Sequence, residues 1–161
     1  GADEIFAHAE LGNADFVCSR TAQTGALRRM IWLDREGPIA YLEPFKERLL
    51  ARRVTKFDES NWWKWGRRHH VSDAPRIYVN QKTRRPRPFF LNDCRNYDGA
   101  ILALFPHHRD AGLEGLRDLL NDVDWAELGF VCDGRFLFAQ RSLAQALLPE
   151  DFAPFATRAL V

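Results

Sequence analysis

The spacing of apolar and polar residues predicts short strands and helices that succeed one another along the chain. Residues 76–80 alternate polar and apolar side chains, which is typical of a half-buried strand. Leucines recur at helical spacing between Leu113 and Leu120, which predicts a helix with one apolar face. Further strands are predicted at 16–18, 29–33, 89–91 and 100–105, with a helix over 44–53 opened by Pro44 and another over 143–148 capped by Ser142.

A β-hairpin is predicted near the end of the chain. Asp133 and Gly134 separate the apolar runs 130–132 and 135–138, and Asp-Gly between two such runs is the strongest short-range hairpin signal. These elements together predict an α+β fold. We expect a single domain over residues 1–161, in which helices pack on a mixed or antiparallel sheet.

Length and cysteine content restrict the class of protein. The 161 residues suffice to bury a core, and no apolar run reaches the roughly 18 residues of a membrane-spanning helix, so no membrane partner is expected. The three cysteines are widely spaced and form no CxxC pair, which indicates a reducing, cytoplasmic compartment. The chain begins with Gly1 rather than Met, so we expect it to be a piece of a longer protein.

Charge is distributed unevenly, although the net charge is only +1. Residues 46–95 hold 14 basic and 5 acidic side chains and therefore carry +9, whereas the segments before and after carry −3 and −5. A basic block between acidic flanks is typical of a surface that binds a polyanion such as nucleic acid. An unevenly charged solvent face without function is the alternative interpretation.

Three of the five tryptophans lie within four residues, interleaved with cations. If the segment 62–65 is a strand, Trp62 and Lys64 share one face and the other two tryptophans share the opposite face. Because three indoles do not easily enter one core, we expect Trp62 to stack on a base or wedge into a groove. Burial of the tryptophans in a core is the competing interpretation. The cations expected to contact nucleic acid here are Lys64, Arg67 and Arg68.

A second basic segment follows the strand predicted at 76–80. Residues 80–88 contain no apolar side chain apart from two prolines, which stiffen the segment and lower the entropy lost on binding. The amides of Asn80 and Gln81 can read adenine edges, and arginine can fork onto phosphate or guanine. The cations expected to bind here are Lys82, Arg84, Arg85 and Arg87.

No catalytic or metal-binding motif is recognisable in the sequence. The chain lacks GxG, GxxxxGK[ST], HExxH and CxxC, so we expect no catalytic residue and no bound metal. The histidine pairs 69–70 and 107–108 are adjacent in sequence, and neighbouring side chains point apart, so neither pair chelates well. The residues alone leave several functions open. The chain could bind double-stranded DNA, it could bind RNA or a single strand, or it could be a small nuclease or hydrolase with an unrecognised site.

The stretch 61–106 resembles the target-recognition region of adenine-specific DNA methyltransferases from restriction–modification systems. The resemblance lies in its WWKWGR, PRIYVNQKTRRPRPFF and YDGAILALFP segments, and the tail 120–149 is similar to how such regions close. The family's glycine-rich S-adenosylmethionine motif and its [NDS]PP[YFW] motif are both absent from this sequence. Methyl transfer therefore cannot be assigned to this chain.

The resemblance implies that the chain reads a DNA site for a catalytic domain elsewhere in the same polypeptide. Its partners would be double-stranded DNA and that methyltransferase domain, and S-adenosylmethionine would bind outside this chain. The complete set of expected DNA-contacting residues is Trp62, Lys64, Arg67, Arg68, Asn80, Gln81, Lys82, Arg84, Arg85 and Arg87.

Overall fold

A computed structural model of the chain describes residues 1–32, 36–66, 72–107 and 112–155. The α-helices in these ranges are α1 (Ala2–Phe6), α2 (Thr21–Thr24), α3 (Lys46–Leu50), α4 (Leu113–Asp122) and α5 (Gln140–Ala144), with 3-10 helices at Ala40–Phe45 and Glu150–Phe155. The strands are β1 (Ala14–Phe16), β2 (Arg28–Met30), β3 (Ile77–Asn80), β4 (Lys82–Thr83), β5 (Phe89–Phe90), β6 (Ile101–Leu104), β7 (Val131–Cys132) and β8 (Arg135–Leu137). The predicted α+β class is confirmed.

The chain divides into two compact units. The first comprises Gly1–Phe16 and Leu27–Val71, and the second comprises Val17–Ala26 and Ser72–Val161. The first unit contains the antiparallel pair β1–β2 and has its own apolar core, in which Trp62 and Trp63 are buried. The second unit contains two three-stranded antiparallel sheets, and Trp125 is a large fully buried residue of its core. The single domain inferred from sequence stays a prediction.

Strand β3 is the centre of the sheet β5-β3-β6 and is buried along its whole length. The prediction of a half-buried strand over 76–80 is therefore wrong. Ile77 and Val79 face one core, whereas Tyr78 packs on the other side against the ring of Tyr97, so both faces of the strand are covered. Burial raises the pKa of Tyr78, whose hydroxyl donates a hydrogen bond to the carbonyl of Cys94.

The other sheet of the second unit, β4-β8-β7, contains the predicted hairpin. Strands β7 and β8 pair antiparallel, and the turn residues Asp133 and Gly134 have φ angles of 52° and 70°. Positive φ at both central positions is the geometry that a two-residue turn of the Asp-Gly type requires. The hairpin prediction is confirmed, and strand β4 adds to it by pairing with β8.

Helix boundaries show where local sequence signals mislead. Helix α4 begins at Leu113 as predicted and continues to Asp122. Pro44 does not open an α-helix, because it lies inside a 3-10 helix that precedes α3. Ser142 is not a cap either, since α5 begins at Gln140 after Ala139 and Ser142 lies within it.

A buried arginine ties together the irregular segments beside the sheet β5-β3-β6. Arg76 is 3% exposed, and its guanidinium donates hydrogen bonds to the carbonyls of Ser72, Ala74 and Arg95. Its charge also lies 4.8 Å from the centre of the Phe105 ring. Three carbonyls and an aromatic face therefore replace the water that this cation loses on folding.

Among the described helices, none combines the length and apolarity needed to cross a membrane. The cytoplasmic location stays a prediction.

Replacing Arg76 with Ala should destabilise the fold, because the carbonyls of Ser72 and Arg95 lose the Arg76 donor, that of Ala74 loses one of two donors, and a buried volume is emptied. We expect the free energy of unfolding to fall by about 2–4 kcal/mol, measured by urea denaturation. Arg95→Ala is the control, since the exposed Arg95 donates a single side-chain bond to Ala74. Equal effects of the two substitutions would contradict the role given to Arg76.

Candidate nucleic-acid interface

Three cations lie on one exposed face of the sheet β4-β8-β7. Lys82 pairs with Leu137 and Thr83 with Phe136. Continuing this register one residue past the end of β4 sets Arg84 opposite Arg135, and the guanidinium of Arg84 does reach the hairpin turn, at the carbonyl of Asp133. Because side chains alternate between the faces of a sheet, Lys82, Arg84 and Arg135 share a face, and all three are exposed. We call this set of three residues the basic face. Cys132 pairs with Arg135 and is also exposed.

The cations of the basic face are crowded and are not neutralised within the described part of the chain. Directly opposed residues have Cβ atoms about 5 Å apart, and like charges at that separation destabilise a sheet. Within the described ranges, no carboxylate lies within ion-pairing distance of Lys82, Arg84 or Arg135. Arg84 donates a hydrogen bond of 3.0 Å to the carbonyl of Asp133, which holds its guanidinium at the hairpin turn. An anion that bound here would relieve the repulsion.

The two remaining arginines of the segment 80–88 have different surroundings. Arg85 is half-buried, and its backbone N–H donates to the Thr83 hydroxyl. Arg87 is ion-paired with helix α4, at 3.0 Å from Asp122 and 3.8 Å from Asp118. Arg87 is therefore ion-paired in the free protein, whereas the phosphate contact inferred for it from the sequence stays a prediction.

The structure does not support the adenine-reading role predicted for Asn80. Its side chain is buried, at 7% exposure, and its amide nitrogen donates to the carbonyl of Ser19 at 2.9 Å. Gln81 is half-buried, and its amide nitrogen donates to the carbonyl of Gly99 at 2.9 Å. A bidentate adenine contact needs a free amide edge, which Asn80 does not present. The base contact predicted for Asn80 is therefore wrong. Gln81 presents only part of its amide to solvent.

The stacking role predicted for Trp62 is wrong. The segment containing it is not a strand, because Asn61 and Trp62 both donate to the carbonyl of Asp58, and the chain coils. Trp62 and Trp63 are 3% and 6% exposed and pack edge to face in the core of the first unit. Lys64 is exposed, with its ammonium group 5.9 Å from the centre of the Trp63 ring. Arg67 and Arg68 lie outside the described residues.

All twenty aromatic residues of the chain fall within the described ranges, and none of them is exposed. The large exposed apolar side chains are all aliphatic. Proteins that bind single strands stack successive bases on exposed aromatic rings. The described surface therefore offers exposed charged side chains but only half-buried rings.

Sequence reasoning missed Arg135, which lies outside the basic block and on the acidic C-terminal side. Only the pairing of β4 with β8 places it beside Arg84. The Asp-Gly hairpin signal located Arg135 on a strand, but nothing local in the sequence indicated which strand lies next to it. Long-range pairing of this kind is set by tertiary packing.

No group of three or more His, Cys, Asp or Glu side chains suited to a metal ion occurs within residues 1–32, 36–66, 72–107 and 112–155. Comparisons with protein-family models, with curated proteins and with solved structures found no match for this chain. The geometry of the basic face therefore carries the functional argument.

Replacing Trp62 with Ala should lower stability by about 3–5 kcal/mol, the usual cost of emptying a large aromatic site in a core. Lys64→Ala, two positions away and exposed, should change stability by less than about 0.5 kcal/mol. Thermal unfolding of both variants checks the assignment. A Trp62→Ala variant as stable as the wild type would restore the surface role of this indole.

Proposed function

We propose that this chain binds double-stranded DNA through the basic face of the sheet β4-β8-β7. The observation that carries the proposal is the clustering of Lys82, Arg84 and Arg135 on one exposed surface without carboxylate partners in the described ranges. Repulsion between these cations destabilises the free protein, and phosphates that approach the cluster reduce that repulsion.

The spacing of the basic face suits a phosphate backbone. Lys82 lies on β4 and Arg84 directly follows that strand, two residues on, so extended backbone would separate them by about 7 Å. Arg135 lies on the neighbouring strand β8, and paired strands are about 5 Å apart. Cations arranged over such a short patch can follow consecutive phosphates. The two arginines also carry the forked donors that read guanine in the major groove, whereas the adenine-reading amide of Asn80 is buried.

The absence of exposed aromatic residues in the described ranges favours a duplex over a single strand. A duplex presents its phosphates outward and keeps its bases stacked on one another, so a charged surface is sufficient to bind it. A single strand would leave its bases without a protein ring to stack on.

The setting we propose is target recognition for an adenine-specific DNA methyltransferase, with the catalytic domain and its S-adenosylmethionine outside this chain. The resemblance of the stretch 61–106 supports it, because that stretch contains Lys82 and Arg84 of the basic face. The test is methylation of adenine by a polypeptide that joins this chain to a catalytic domain. Replacing the basic face should abolish methylation without loss of S-adenosylmethionine binding.

Replacing Lys82, Arg84 and Arg135 together with Ala should weaken duplex binding and flatten its salt dependence. If each residue contacts one phosphate, the slope of log K against log salt should shrink by about 2–3 units. Equilibrium binding over a salt series checks this.

The matched control replaces Arg48, Arg53 and Lys56, three exposed cations of the first unit, with Ala. It removes the same total charge, so a general electrostatic effect would be equal in both triple variants. Equal slopes in the two variants would show that the basic face is not the contact surface.

Duplex DNA should compete for the protein better than single-stranded DNA or RNA of the same sequence, because the described surface lacks exposed rings for stacking. Competition against a labelled duplex measures the order. Preference for either single strand at equal nucleotide concentration would favour the stacking mode instead.

A further inference from the structure

Arg87 belongs to the same segment as the basic face but is engaged elsewhere. Its guanidinium makes ion pairs with Asp122 and Asp118 on helix α4, and all three side chains are more than half exposed. Asp118 also accepts a hydrogen bond of 3.0 Å from Arg117, so Asp122 is the principal partner of Arg87.

The backbone around Arg87 is fixed against α4. The side-chain amide of Asn121 bonds both the N–H and the carbonyl of Phe89, at 2.9 and 3.0 Å, and Pro88 is fully buried. These contacts anchor the backbone directly after Arg87 to the helix, so the long side chain is the part of Arg87 that is freest to turn.

Arg87 nevertheless lies within electrostatic range of DNA on the basic face. It lies three positions after Arg84 in the chain, which limits the distance between their Cα atoms to about 10 Å. That distance is comparable with the Debye length of about 10 Å at 0.1 M salt. A duplex on the basic face would therefore experience both the charge of Arg87 and the carboxylates that neutralise it.

We propose that Asp118 and Asp122 hold Arg87 out of DNA contact and thereby limit the affinity of the basic face. This inference rests on the proposed function. Non-specific affinity rises with each phosphate that a protein neutralises. Occupying one arginine internally keeps that sequence-independent contribution low, so that contacts made by Arg84 and Arg135 account for more of the binding.

The test combines three variants in a cycle: Asp118→Asn with Asp122→Asn, Arg87→Ala, and all three substitutions together. Duplex binding is measured over a salt series for each variant and for the wild type. The control, Glu114→Gln with Glu127→Gln, removes two exposed negative charges that have no ion pair in the described ranges. Circular dichroism checks that each variant folds, and Asp122→Asn alone serves if the double variant does not.

We expect the double Asn variant to bind more tightly, with a slope of log K against log salt steeper by about 0.9, the value for one added phosphate. Adding Arg87→Ala should cancel this gain, whereas Arg87→Ala alone should change the wild-type slope by less than half as much. A double Asn variant that matches the glutamine control would overturn the inference.

Failure of this inference and failure of the proposed function give different results. If the wild type binds duplex DNA and loses binding with the basic face, but the double Asn variant behaves like its control, only the inference fails. If neither the wild type nor the double Asn variant binds duplex DNA, both fail.

Discussion

The antiparallel pairing of β4 with β8 is the constraint on which the proposed surface depends. Lys82 lies opposite Leu137 and Thr83 opposite Phe136, and the N–H of Phe138 donates to the carbonyl of Gln81 to extend the pairing. Phe136 stacks on the buried Phe138, which fixes the inner side of the sheet. A shift of one residue in β4 would turn its cations inward against these rings, so packing of the rings sets the register.

Because of this register, exposed cations of the second unit are separated from the carboxylates of the same unit. On the basic face, cations lie side by side with no carboxylate partner in the described ranges, whereas Arg87, three positions after Arg84, is paired with the acidic helix α4. The same short segment thus contains exposed, unneutralised cations and a neutralised one. That contrast is more informative about binding than the total charge of the basic block, because a polyanion responds to local potential.

The sequence was most informative where structure is local. The Asp133-Gly134 turn and helix α4 follow from turn chemistry and leucine spacing, and both are present. It was misleading for Trp62 and Asn80, since a residue type suited to nucleic acid is also suited to a core or to a buried hydrogen bond. It could not identify Arg135, whose position beside Arg84 depends on strands about fifty residues apart in the chain.

The exposed thiol of Cys132, which pairs with Arg135 across the hairpin, allows a direct measurement of contact at this surface. The rate at which a small alkylating reagent modifies Cys132 can be followed by mass spectrometry with and without saturating duplex DNA, with the half-buried Cys94 as internal reference. The account predicts that DNA slows modification of Cys132 and leaves Cys94 unchanged. Equal rates for Cys132 in bound and free protein would contradict it.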